Sequence, residues 1–183
     1  MILKKLNDDI LLFTFKNMKD ISLTFFRVQE YYESQNPNLL RKPFTVYDFL
    51  EQSTDKYGVM EYFSLWEGYN IPGDIFDEWF SLFHHNDMTP REIDLWHLVR
   101  ENTVRGQKYY SIGALEKDVR TIDHEIAHSL WYLNEAYKNS MEEMNDILKK
   151  EFPFNYKILT KYLLKLGYNE NVIEDEIQAY LST

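Results

Sequence analysis

The sequence predicts an α+β fold, mainly helical, with a small sheet of about three strands. Three observations lead there. Only 6 Gly and 5 Pro punctuate the 183 residues, so long stretches are free to run as helix. Apolar residues recur at helical spacing over much of the chain, most regularly in residues 116–133. Three short apolar or aromatic segments, 8–15, 59–65 and 107–112, read instead as strands. A hydrophobic content of 44% supplies a core, and the length favours one domain covering residues 1–183.

Taken in order, Asp8–Phe15 is the first strand. Asp20–Glu33 follows as a helix carrying Ile21, Phe25, Val28 and Tyr32 on one side. Thr45 can cap a helix reaching about Asp55, and Val59–Leu65 is the second strand. Trp66–Gly73 has the Gly, Asn and Pro of a turn or loop, either a substrate loop or a packed aromatic turn. Asp74–Phe83 resumes a helix, which His84-His85-Asn86-Asp87 breaks. Thr89-Pro90-Arg91-Glu92 combines an N-cap, a proline at the first helical position and a glutamate placed to complete a capping box. The helix it opens should reach about Glu101. Gln107–Ile112 is the third strand, with Gly113 to turn the chain. Glu116–Leu133 is helical, and two or three further helices are separated by Pro153 and Gly167, for about seven in all.

Composition excludes several functions. Thirty acidic against 20 basic residues give a net charge of -10. Such a surface repels phosphate backbones, so no nucleic-acid partner is expected. There are no cysteines, which removes disulfides, thiolate zinc sites, iron–sulfur clusters and thiol nucleophiles. The N-terminus lacks a signal-peptide pattern and no stretch is long and apolar enough to span a bilayer. The expectation is a cytoplasmic protein without a membrane partner.

One motif carries chemistry. His124-Glu125-Ile126-Ala127-His128 is an H-E-x-x-H pattern inside the most periodic helix. Residues four apart are rotated by roughly 40° and rise about 6 Å, so both imidazoles leave one face and can hold one divalent ion. Glu125 flanks them without competing for the same ligand position and can accept a proton from a water at that ion. With 5 His in the chain, a chance match is on the order of one in a hundred. Val119, Ile122, Ile126, Leu130 and Leu133 share an arc opposite the histidines, which predicts a packed back and a polar front. The competing reading is a solvated histidine face on an ordinary helix.

A zinc hydrolase needs a third protein ligand. Extending the motif to a third histidine fails, because Trp131 and Asn134 occupy the required glycine and histidine positions. Glu135, seven residues after His128, sits about 10 Å further along a straight helix, too far to share the ion. In the C-terminal segment, Val172, Ile173, Ile177, Ala179, Tyr180 and Leu181 form an apolar arc with Glu176 at its centre, while Glu174, Asp175 and Gln178 fall on the polar side. A carboxylate on a buried face must be paired or must bind a metal. Glu176 is therefore either the partner of a buried lysine or arginine, or the missing ligand.

His124-Glu125-x-x-His128 together with a glutamate on a later helix resembles the gluzincin class of zinc metallopeptidases, and Asp175-Glu176-Ile-Gln-Ala179 is similar to the segments that supply their third ligand. The likeness covers about a third of the chain. It implies a zincin-like active-site helix, with zinc on His124, His128 and Glu176. Glu125 would act as general base in peptide-bond hydrolysis by a zinc-activated water. It also implies that residues 108–112 form a sheet edge beside the cleft, where an extended peptide or protein substrate could add as a strand, with Tyr109, Tyr110 and Ser111 facing either substrate or core. Tyr180, Tyr132 and Arg120 are candidates to stabilise the oxyanion. Asp123 and Glu135 could orient a histidine or lie in solvent. The alternative is a catalytically silent zincin-like protein whose acidic, aromatic surface binds a partner. His84 and His85 read as solvated, and His97 as a histidine at the edge of the core.

Overall fold

The computed structural model describes residues 1–34, 36–53, 62–64, 66–83, 87–166 and 168–183. Contacts divide the chain into two compact units, Met1–Ile122 and Asp123–Thr183. The observed class is the expected one: α+β, mainly helical, with a small mixed sheet of four strands.

The first unit is built on that sheet. Its strands are β1 (Ile2–Lys5), β2 (Ile10–Phe15), β3 (Gly68–Pro72) and β4 (Tyr110–Leu115), in the order β1-β2-β4-β3. Asn7 makes the β1–β2 turn by accepting the amides of Asp9 and Ile10 at 2.8 Å each. Strand β2 pairs antiparallel with β1 and parallel with β4, and β4 pairs antiparallel with β3. All six residues of β2 are buried, which explains their near-continuous apolar run.

Among the described residues, four helices belong wholly to this unit: α1 (Met18–Glu33), α2 (Val46–Ser53), α3 (Gly73–Leu82) and α4 (Pro90–Asn102). Asn17 caps α1 by accepting the Asp20 amide, and Thr89 and Glu92 form the expected capping box on α4. Phe25 of α1 is fully buried and its ring meets Phe13, Phe15, Tyr69 and Phe76. A Cβ at Gly113 would stand 2.7 Å from that ring, so glycine lets helix and sheet close together. Arg27 and Glu92, each 1% exposed, are paired at 2.9 Å between α1 and α4.

Several expectations are corrected here. Trp66–Gly73 contains strand β3, whose Tyr69 and Ile71 are buried at period two; its glycine and proline lie at the strand's ends. Gly113 lies inside β4 and makes no turn. Strand β4 is an inner strand with neighbours on both sides, so residues 108–112 form no sheet edge and offer no place for strand addition. Of the expected strand 59–65, Val59, Met60, Glu61 and Leu65 lie outside the described residues, and Tyr62–Ser64 is helix and turn. His84 and His85 also lie outside them.

Helix α5 (Val119–Leu133) begins in the first unit and continues through the second. The second unit adds α6 (Glu135–Glu151), α7 (Pro153–Leu166), a 3-10 turn (Glu170–Val172) and α8 (Ile173–Leu181). Asn134 caps α6 by accepting the Tyr137 amide at 3.0 Å, and Pro153 opens α7. Leu163, Ile173 and Ile177 make a small core, with Tyr156, Leu159 and Tyr168 against it. Asn145 and Lys149 of α6 hold Glu174, the first through its carbonyl at 3.0 Å and the second through its carboxylate at 2.6 Å. Among the described residues no helix is long and apolar enough to cross a membrane.

Candidate metal centre

The candidate centre lies wholly within the second unit, where α5 supplies two imidazoles and α8 a carboxylate. Asp118 starts α5 by accepting the amide and hydroxyl of Thr121 at 3.1 and 2.8 Å. The helix then runs unbroken, so His124 and His128 come to one face. Their Nε2 atoms are 3.3 Å apart and their rings meet edge to face. Helix α8 is tied down by Ile173, Ile177 and its bonds to α6, and this docking buries Glu176.

The Glu176 carboxylate faces both imidazoles. Oε1 lies 3.5 Å from Nε2 of His128 and Oε2 lies 3.7 Å from Nε2 of His124. These gaps are long for hydrogen bonds. They are close to the ligand–ligand edges of a tetrahedral zinc site, about 3.3 Å for bond lengths near 2.0–2.1 Å. One ligand atom from each of the three residues falls within 4.8 Å of the others. Oε2 of Glu176 is buried with no hydrogen-bond partner, and a buried carboxylate oxygen left bare is costly. Two imidazole nitrogens and a carboxylate also form a known catalytic zinc donor set. The residues present thus fit a divalent cation.

Nδ1 of His128 lies 3.0 Å from Oδ1 of Asp175. A carboxylate can only accept, so Nδ1 carries the proton. In the chain without metal, burial opposes charge on His128, but the hydrogen bond and charge of Asp175, with the charges of Glu176 and Glu125, outweigh it and push the pKa up to about 10. A cation entering the site must displace the imidazolium's other proton, the one on Nε2, and leaves the Nδ1 proton, held by Asp175, in place.

Glu125 is buried, and its charge acts on both His128 and Tyr168. Tyr180, 40% exposed, sets its ring against His124 with centroids 4.6 Å apart. Its hydroxyl is 3.2 Å from that of Tyr168. Burial first, then the charge of Glu176, raises the Tyr168 phenol above the ordinary range, so it stays neutral.

The structure brings His124, His128 and Glu176 together as expected. Among the described residues, the ion-pair partners of Glu176 are the two imidazoles, and no lysine or arginine pairs with it. Tyr180 also reaches the site. Asp123, Glu135 and Arg120 are exposed. Tyr109, Tyr110 and Ser111 belong to the first unit and are buried there. Tyr109 donates to Asp77 at 3.0 Å and Tyr110 to Asn70 at 2.7 Å. His97 is exposed, with its ring against Trp96.

Two features escaped the sequence. The buried face of α5 is Glu125, Ala127, His128 and Ser129, while Val119 is 65% exposed and Ile122, Ile126, Leu130 and Leu133 are only partly covered. The histidine side can be buried because carboxylates from α8 neutralise it. Asp175, read as solvent-facing, is the partner of His128. Its position immediately before Glu176 was the available signal. No family model, curated protein or solved structure matches the chain.

Proposed function

We propose that the chain is a zinc-dependent metallopeptidase acting on a peptide or protein substrate, with His124, His128 and Glu176 as the metal ligands. The observation that carries this reading is the convergence of those three side chains at coordination spacing, with one carboxylate oxygen left bare among them. When bound, zinc supplies Lewis acidity toward the scissile carbonyl and acidifies a water. Glu125, next to the first ligand, accepts the water's proton and returns it to the leaving amine. Asp175 holds His128 in the tautomer that presents Nε2. Tyr180, beside His124 and partly exposed, is the candidate to steady the developing oxyanion.

The test pairs two readouts on Glu125→Gln. Cleavage of a mixed fluorogenic peptide library should fall by at least about a thousandfold, since proton transfer and water activation both fail, while zinc content is retained. Cleavage by wild type that persists in Glu125→Gln would refute the assignment.

A second reading has its own support. His128 and Glu125 are almost wholly buried and Glu176 is 8% exposed at its side chain, as in a site that binds metal for structure. The chain would then be a catalytically silent zincin-like protein that binds a partner protein. It predicts zinc binding without cleavage, and loss of folding on chelation.

A further inference from the structure

Behind the proposed cation site runs a line of hydrogen bonds that peptide hydrolysis alone does not explain. Oδ1 of Asp175, which meets Nδ1 of His128, also accepts from Nε2 of Gln178 at 2.8 Å. At the other end of that amide, Oε1 of Gln178 accepts from the Tyr137 hydroxyl at 2.8 Å. Gln178 is fully buried, whereas the Asp175 side chain is 25% exposed. Turning the amide over would set its oxygen against the Asp175 carboxylate, so its orientation is fixed. Three helices of one unit contribute: α6 through Tyr137, α8 through Gln178 and Asp175, and α5 through His128.

We propose that Gln178 is a positioning residue of the cation site: anchored by Tyr137, it pins the Asp175 carboxylate to Nδ1 of His128 and so keeps the Nε2 lone pair turned toward His124 and Glu176. The inference rests on the reading of those three residues as metal ligands. The physical reason lies in the exposure of Asp175. A carboxylate reached by water can swing to solvent and release the imidazole, and a buried amide donor holds it in place. Groups that orient a ligand in this way commonly change metal affinity by about 10–100-fold.

The experiment measures zinc dissociation constants by competition with a chromogenic chelator, on the full chain. Gln178→Met keeps the volume and removes both hydrogen bonds; it should weaken zinc about 10-fold. Asp175→Ala should weaken it at least as much. In the Asp175→Ala background, Gln178→Met should have no further effect, because its route to His128 is already cut. Tyr137→Phe removes only the anchoring hydroxyl, should weaken zinc less than Gln178→Met, and serves if Gln178→Met does not fold. In the zinc-loaded wild type, the Nδ1 proton of His128 should give a downfield resonance that Gln178→Met shifts or broadens. If wild type binds zinc and Gln178→Met binds it equally, or if its effect persists undiminished without Asp175, the positioning role is overturned and the centre stands. If wild type binds no zinc, both readings fall.

Discussion

His128 is the residue on which the chemistry of the site turns. Its folded pKa of about 10 in the metal-free chain lies above the ordinary 6.5. A raised pKa means that the folded state holds the proton more tightly than the unfolded one. The resulting stabilisation is complete below about pH 6.5 and fades as pH rises to about 10. Thermal melts in a chelator should therefore show a midpoint that falls across that window, with a shallower fall in His128→Gln. Zinc affinity should move the other way and rise with pH, since the proton must leave. Histidine spacing and the buried phase of Glu176 were legible because both follow from helix geometry. Asp175 and Gln178 were not. An amphipathic projection assigns polar residues to water, and it cannot register that an imidazole and a tyrosine on other helices wait to pair with them.

Helices with strong end signals were read to within a few residues. Thr89-Pro90-Arg91-Glu92 is the clearest, because a cap is local chemistry. Thr89→Ala should cost about 1 kcal/mol in urea unfolding. Glu92→Ala should cost more, about 3–5 kcal/mol, because it also leaves Arg27 buried beside no carboxylate. Strand β3 was hidden by its own boundaries: Gly68 and Pro72 look like a loop, yet they bracket the alternating Tyr69 and Ile71. Gly113, with its turn-like identity, proves to be the point where β4 admits the Phe25 ring. Gly113→Ala forces a methyl to within 2.7 Å of that ring and should destabilise by about 1–3 kcal/mol. The same unfolding curves check it.

At the scale of the molecule, sequence gave the class and the small sheet but not the strand order. Pairing β2 with β4 joins residues about a hundred positions apart, and no local signal specifies such a partner. That pairing makes β4 an inner strand and removes the edge on which a substrate strand was expected. Nor did composition foretell the division into two units within α5. The consequence is that the three proposed ligands belong to one unit of 61 residues, Asp123–Thr183, so metal binding should be registered there first. Zinc should raise the thermal midpoint of the full chain with the logarithm of its excess over the dissociation constant. The most direct test is metal content by elemental analysis of protein purified without added metal, for wild type, His128→Ala and Glu176→Ala. About one zinc per chain in wild type and almost none in either variant is the predicted result. A wild type free of zinc, or variants that retain it in full, would contradict the shared cation.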